Sequence, residues 1–258
     1  DEQDVDTLIF VLDGALRSVP MGALYDGENY LIEKYAIDVV LGLDIPDPKP
    51  LARNSMNILA AGLKVPPEGF KNSYAVLAEV PDELERIEKS GISSTILQED
   101  RFTQANFNRV LNQDSYDVIH LATHGQFSAN RDDTFLLDAN GKITLDELPN
   151  LFGATTIQAS AVELLVLSAC RTATGNDRDV LGIAGTTVRA GAQSAIASLW
   201  SIDDQASVIF TETFYKEIGK DNVSRAQALQ KAQQALMSND IFDHPRYWSP
   251  YILVGNWL

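Results

Sequence analysis

The residues best suited to chemistry are a histidine and a cysteine, each of which follows a short apolar block. His124 comes just after the run VIHLA (118–122), and Cys170, the only cysteine of the 258 residues, comes just after LLVLS (164–168). Blocks of this length and composition are typical of buried strands in a parallel sheet. Because reaction sites of open α/β sheets lie beyond the carboxyl ends of the strands, we expect His124 and Cys170 at one edge. A base and a thiol at one edge are the groups that nucleophilic catalysis requires.

The order of the two residues separates classes of enzyme. The histidine precedes the cysteine by 46 positions, and caspase-type peptidases place a histidine roughly 50 residues before an Ala-Cys-Arg-like motif. Glutaminases and α/β-hydrolases have the opposite order and use a glycine-flanked nucleophile, whereas SACRT around Cys170 has no glycine. An amidotransferase or an esterase is therefore disfavoured. The alternative that Cys170 is only a small buried apolar residue stays open.

Gly125 follows the candidate base. A residue without a side chain allows its backbone N–H to approach a substrate carbonyl, so the N–H groups of Gly125 and Cys170 are predicted to form an oxyanion hole. A tight turn after the strand would also explain the glycine. His120 lies deeper in the apolar block and is interpreted as a core or supporting residue. His244 lies in a proline-bounded loop without an evident partner.

Composition narrows the partners. The chain has 36 acidic and 20 basic residues, a net charge of -16, which argues against nucleic-acid binding and favours basic peptides. Acidity that only maintains solubility explains the charge equally well. No apolar run approaches the roughly 18 residues of a membrane span, so no membrane contact is predicted. One cysteine and three scattered histidines predict no disulfide, metal site or cofactor, and they fit a reducing, cytoplasmic location.

Strands and helices alternate along the chain, which predicts an α/β fold with a mostly parallel central sheet and helices on both faces. A strand is predicted over Glu33–Gly42, and helices over Pro81–Ser90, Val180–Ala190 and Asp203–Ile218. The proline-rich stretch Asp44–Pro50 predicts the one internal boundary. The chain begins without methionine, and we expect it to be part of a longer polypeptide.

Several motifs in order resemble the CHAT domain, a caspase-like and separase-like domain found with tetratricopeptide repeats. They are FVLDG (10–14), VPMGAL (19–24), YLIEKY (30–35), HLATHG (120–125), LSAC (167–170), ASLWSIDD (197–204) and the segment from His244-Pro245 to Gly255. The resemblance implies a caspase-like fold, with residues 1–52 as an N-terminal extension packed on a catalytic core of residues 53–258. It also implies a Cys170–His124 dyad, and an upstream tetratricopeptide-repeat region or another activating partner.

The expected activity is that of a cysteine endopeptidase that cleaves after arginine or lysine. Separase-like relatives carry an aspartate that corresponds to Asp204 at the floor of the P1 pocket, and a carboxylate there binds an arginine in bidentate fashion. Asp203 is a second pocket candidate. The stretch Ser201–Asp204 also fits a helix capping box, so both explanations stay open. At one position the chain departs from the family, since many relatives have glutamate where this chain has Arg171. The alternative function is that of a latent CHAT adaptor that binds protein partners.

Overall fold

Strands alternate with helices along the chain, as the sequence predicts. The computed structural model describes residues 5–40, 42, 50–51, 56–127, 133–144, 147, 162–168, 171–172 and 192–258. The described strands are Thr7–Val11 (β1), Ala36–Val40 (β2), Asn57–Gly62 (β3), Ser93–Gln98 (β4), Val118–Ala122 (β5), Gly125–Phe127 (β6), Phe135–Asp138 (β7), Gly141–Thr144 (β8), Leu164–Ser168 (β9), Arg171–Thr172 (β10), Ser194–Ser198 (β11) and Tyr251–Gly255 (β12). The described helices are Leu31–Lys34 (α1), Val80–Glu88 (α2), Gln104–Leu111 (α3), Asp204–Ile218 (α4), Arg225–Met237 (α5) and Pro245–Trp248 (α6).

The central sheet is mostly parallel, which confirms the predicted fold class. Its eight described strands lie in the order β1-β2-β12-β11-β9-β5-β3-β4, and among them only β11 and β12 pair antiparallel. Every residue of β2, β5, β9 and β11 is buried. Since neighbouring residues of a strand point to opposite faces, both faces of the sheet are covered. A smaller sheet in the order β10-β6-β7-β8 stands beyond the ends of β5 and β9.

The chain on both sides of the predicted boundary contributes to the same sheet. β1 and β2 come from residues 1–52, and β2 joins β12 through the pair Val39 and Val254. Most of Asp44–Pro50 and the whole of the predicted helix Val180–Ala190 lie outside the described residues.

The predicted strand Glu33–Gly42 begins too early. Glu33 and Lys34 belong to α1, because the Glu33 carboxylate accepts the backbone N–H of Tyr30 at 2.5 Å and closes a helical turn before the strand begins at Ala36. The long helix begins at Asp204, and its N-cap is Asp203. No described helix has the length and hydropathy that crossing a bilayer would require.

Helix α2 approaches the sheet closely where β3 ends. A side chain at Gly62 would come within 2.7 Å of Val80 and 2.9 Å of Leu84, both on the buried face of α2. The missing side chain therefore allows α2 to lie directly over the end of β3, next to β5.

A buried aspartate in β2 makes stability depend on pH. Asp38 is fully buried, and among the described residues neither of its carboxyl oxygens has a hydrogen-bond partner of ordinary geometry. Burial raises the pKa of Asp38 well above its usual value, and the Val39 amide and the charge of Arg225 oppose this only in part.

Replacement of Asp38 by asparagine is therefore expected to stabilise the protein progressively as pH rises. The folded chain holds a proton on Asp38 that the unfolded chain releases above about pH 4. The wild type consequently loses about 1.4 kcal/mol per pH unit from this group between its unfolded and folded pKa values, and asparagine does not titrate. Urea unfolding of both proteins at pH 5, 6 and 7 measures the difference. A difference that stays constant over this range would contradict the assignment.

Candidate active site

The candidate base lies where β5 passes into the smaller sheet. β5 ends at Ala122, and the hydroxyl of Thr123 donates to the carbonyl oxygen of Leu137 at 2.7 Å. The backbone N–H of Leu137 in turn donates to the carbonyl oxygen of His124 at 2.8 Å. These two bonds fix the backbone on either side of the turn, so the position of the His124 side chain is determined by both sheets.

The ring of His124 is held from two sides. Its Nε2 lies 2.6 Å from the carbonyl oxygen of Ala75, and its ring centroid lies 4.9 Å from that of Tyr74. A carbonyl oxygen can only accept, so Nε2 carries the proton of the neutral ring and Nδ1 is its basic nitrogen. Tyr74 is itself fixed by a hydrogen bond from its hydroxyl to Gln126 Oε1 at 3.3 Å. The loop before α2 therefore sets both the tautomer and the orientation of His124.

His124 and Asp204 line one cavity. The cavity has a volume of about 370 Å³, and its other lining residues are Ala75, Val76, Leu77, Ser201 and Ile202. Asp204 is half-buried at the first position of α4. Partial burial and the nearby carboxylates of Asp203 and Glu83 raise its pKa, against a hydrogen bond from the Ala78 backbone N–H. The structure thus brings one predicted pocket residue next to the predicted base.

Asp203 has a different position. Its carboxylate accepts the backbone N–H groups of Gln205 at 3.0 Å and Ala206 at 3.2 Å, which makes it the N-cap of α4. The predicted capping box with Ser201 as its first residue is therefore wrong, because the N-cap of the helix is Asp203. Asp203 is not among the described residues that line the cavity, but its charge contributes to the raised pKa of Asp204.

The predicted nucleophile, Cys170, lies outside the described residues, but the strands before and after it are placed. Ser168, the last residue of β9, pairs with Ala122 of β5. Arg171, the first residue of β10, pairs with Gln126 of β6. Two residues thus separate the paired positions on the cysteine side, and three separate them on the histidine side.

Gly125, predicted to form the oxyanion hole, is the first residue of β6 and pairs with Leu136 of β7. The neighbouring pair, His124 and Leu137, is a hydrogen-bonded pair, because the Leu137 N–H donates to the His124 carbonyl oxygen. Paired and unpaired positions alternate in an antiparallel ladder, so the Gly125 N–H faces away from β7. On its other side β6 pairs with β10, which follows Cys170.

Three contributions to the site escape prediction from the sequence. They are the carbonyl oxygen of Ala75, the aromatic ring of Tyr74 and the buried carboxylate of Glu83, which lies 3.0 Å from His120 Nε2. A backbone oxygen leaves no trace in residue types.

His120 is fully buried, which confirms its interpretation as a core residue. Among the described residues, no group of three or more histidine, cysteine or acidic side chains could hold a metal ion.

Comparison with known families agrees with this arrangement. A family model described as the CHAT domain matches residues 1–256. The chain belongs to the CHAT domain family. Tetratricopeptide repeat protein 28 of Mus musculus is 28% identical to this CHAT domain over 98 residues, which are 37% of the chain and 4% of the mouse protein. The Homo sapiens protein of the same name is 30% identical over 77 residues, which are 30% of the chain and 3% of the human protein.

Two solved structures share the fold of this chain at low sequence identity. The Arg specific cysteine proteinase gingipain R aligns with a TM-score of 0.55 and 9% identity, covering 91% of the CHAT domain and 57% of that chain. The complex of Porphyromonas gingivalis RgpB pro- and mature domains aligns with a TM-score of 0.50 and 9% identity, covering 78% of the CHAT domain and 47% of that chain. The CHAT domain therefore has a caspase-like, peptidase-type fold.

Proposed function

We propose that this CHAT domain is a cysteine endopeptidase that cleaves after arginine or lysine, with Cys170 as nucleophile and His124 as base. The observation that carries the proposal is the cavity shared by His124 and Asp204, at the edge to which β9 leads the cysteine. A base and an acidic pocket side by side are what a peptidase selective for basic residues needs.

The strand pairing supports contact between cysteine and histidine. Consecutive Cα atoms are about 3.8 Å apart, so Cys170 lies within about 4 Å of the Arg171 Cα and about 8 Å of the Ser168 Cα. Both of those residues pair with the segment that carries His124, from Ala122 to Gln126. This short connection between two paired positions supports the proposed meeting of the thiol and the imidazole.

The tautomer of His124 suits the proposed chemistry. With Nε2 donating to Ala75, Nδ1 is the nitrogen that takes the thiol proton. The thiolate attacks the scissile carbonyl carbon, and the oxyanion of the tetrahedral intermediate accepts hydrogen bonds from the backbone N–H groups of Gly125 and Cys170. Collapse of this intermediate breaks the C–N bond, and the imidazolium protonates the leaving amine. Water then gives a proton to Nδ1, attacks the thioester carbon and releases the acid, and the sulfur regains its proton from His124.

The cavity next to His124 is proposed as the P1 pocket. Partial burial raises the pKa of the Asp204 carboxyl, and repulsion by the carboxylates of Asp203 and Glu83 raises it further. An arginine or lysine side chain in the cavity relieves this repulsion and forms a charge-assisted hydrogen bond with Asp204. The fold likeness to gingipain R, an Arg specific cysteine proteinase, supports this part of the proposal. Asp203 contributes charge while it caps α4.

The biological substrate is proposed to be a protein with accessible basic residues, cut in the cytoplasm. The curated relatives are tetratricopeptide repeat proteins. A repeat region in the same polypeptide would present the substrate or control access to the site.

The direct test compares wild type with Cys170→Ala on fluorogenic peptides that differ only at P1. Wild type is expected to cleave the Arg and Lys peptides and to leave the Asp and Leu peptides intact, and Cys170→Ala is expected to cleave none, because the only thiol is removed. Equal inertness of both proteins toward all four peptides, with and without a tetratricopeptide-repeat fragment, would reject the enzyme and leave the adaptor function.

A further inference from the structure

A buried carboxylate lies beneath the candidate site. Glu83 is 1% exposed, and it stands on the apolar face of α2 with Val80, Leu84 and Ile87. These four residues are spaced as one face of a helix, which turns that face into the core. A charged residue on such a face must be surrounded by hydrogen-bond donors, because an isolated buried charge is strongly unfavourable.

Four side chains supply those donors. The Nε2 of His120 lies 3.0 Å from Glu83 Oε1, and the hydroxyl of Thr211 lies 2.9 Å from the same oxygen. The hydroxyl of Ser207 lies 3.1 Å from Oε2, and the side chain of Ser168 also hydrogen-bonds the carboxylate. Burial alone would raise the pKa of Glu83, but the hydrogen bonds from His120, Ser168 and Thr211 and the charge of the imidazole hold it below the usual value. Glu83 is therefore a carboxylate anion within the core.

The donors belong to the elements that carry the site. His120 is in β5, four residues before His124, and Ser168 ends β9, two residues before Cys170. Ser207 lies in the first turn of α4, and its single hydroxyl proton is shared between Glu83 Oε2 at 3.1 Å and the carbonyl oxygen of Asp204 at 2.7 Å. The Glu83 carboxylate thus connects β5, which leads to His124, with β9, which leads to Cys170, and with α4, which begins at Asp204.

We propose that Glu83 is the positioning residue of the active site, fixing the ends of β5 and β9 and the start of α4 relative to one another. The inference rests on the proposed peptidase function and names a residue that acts through others, since Glu83 itself touches no substrate. A glutamine of the same shape has one acceptor oxygen and one NH₂ group, so it satisfies fewer of the four donors. Small displacements of catalytic groups are enough to cost about 100-fold in rate.

Single substitutions separate the parts of the connection. Ser168→Ala removes the donor next to the nucleophile, and it is expected to lower kcat about 10-fold with little change in KM. Ser207→Ala removes the donor next to Asp204, and it is expected to raise KM for arginine peptides with little change in kcat. Glu83→Gln is expected to do both, with a loss of about 100-fold in kcat/KM. If Glu83→Gln does not fold, the two serine variants alone decide.

The matched control is Asp38→Asn, which changes another fully buried acid, in β2, away from the cavity. It is expected to keep the kinetics of the wild type. Kinetic constants are normalised to folded protein by near-UV circular dichroism, so a merely structural role of Glu83 would leave them unchanged. Normalised kcat and KM values of Glu83→Gln and both serine variants that match Asp38→Asn would overturn the inference.

A second readout keeps this inference distinct from the proposed function. Cys170 is the only cysteine, so the pH dependence of alkylation by iodoacetamide reports on its thiol without any peptide. If wild type cleaves no peptide, the peptidase proposal fails, and the alkylation profile decides on Glu83. A Glu83→Gln profile displaced from those of wild type and Asp38→Asn supports the positioning role. Superimposable profiles reject it.

Discussion

Substitution of His124 by alanine is expected to lower kcat for peptidyl-arginine hydrolysis by about 1,000-fold. Proton transfer by a positioned base contributes about 100- to 10,000-fold, and His124 serves both the thiol and the leaving amine. His124 is 5% exposed and its ring is held by Ala75 and Tyr74, so no water-borne base replaces it efficiently. Steady-state kinetics with an arginine peptide measure the effect.

The matched control is His244→Ala. His244 is exposed at the N-cap of α6, where its Nδ1 accepts the backbone N–H of Arg246 at 3.1 Å. Loss of such a cap costs about 1 kcal/mol of stability, and hydrolysis should proceed as in wild type. A His124→Ala protein that keeps more than a tenth of the wild-type kcat would show that another group is the base.

Replacement of Asp204 by asparagine is expected to lower kcat/KM for arginine peptides by about 30-fold. Breaking a hydrogen-bonded charge pair in a binding site costs about 2–5 kcal/mol, and the half-buried position of Asp204 places it at the lower end. A peptide with a neutral P1 residue loses no ion pair, so the selectivity between the two substrates should fall by the same factor. Equal losses on both substrates would contradict a P1 role.

The pH dependence gives the same residue a second signature. Arginine binding needs ionised Asp204, and its pKa is raised by partial burial and by Asp203 and Glu83. The acid limb of kcat/KM is therefore expected above the range of an ordinary aspartate, and Asp204→Asn should remove it.

Asp203→Asn is the control for charge alone. Asparagine caps helices as well as aspartate does, so α4 keeps its start while one nearby charge is lost. Its effect on arginine peptides should be several-fold smaller than that of Asp204→Asn.

Local pattern was enough to predict the central sheet. The strands β5 and β9 are apolar except for His120 and Ser168, because both of their faces are buried, and the alternation with helices leaves few other topologies. The placement of His124 at the end of β5 followed from the same pattern. The start of α4 is harder to predict from the sequence, since Ser201, Asp203 and Asp204 all fit helix-start signals. Only the backbone geometry identifies Asp203 as the N-cap.

The buried position of Glu83 is indicated by its spacing in the sequence, although its hydrogen-bond partners are not. Acids in a first helical turn are usually explained by the helix dipole, and this explanation fits Asp82, which is exposed. Glu83 instead shares the spacing of Val80, Leu84 and Ile87, which is the signature of a core position. A charge at such a position requires partners, and the other polar residues within apolar strands, His120 and Ser168, were the visible candidates. Long-range pairing between α2 and two strands cannot be read from spacing alone.

The oxygen that orients His124 belongs to a peptide plane and not to a side chain. Replacement of Ala75, which is exposed, by any residue that keeps the local chain path leaves that acceptor in place. Related sequences are therefore free to differ at this position while the histidine keeps its tautomer. Residue identity alone would never reveal the backbone oxygen that orients His124. The residue at position 76 matters in another way, because a proline there would confine the ψ angle of residue 75, which sets the direction of that carbonyl.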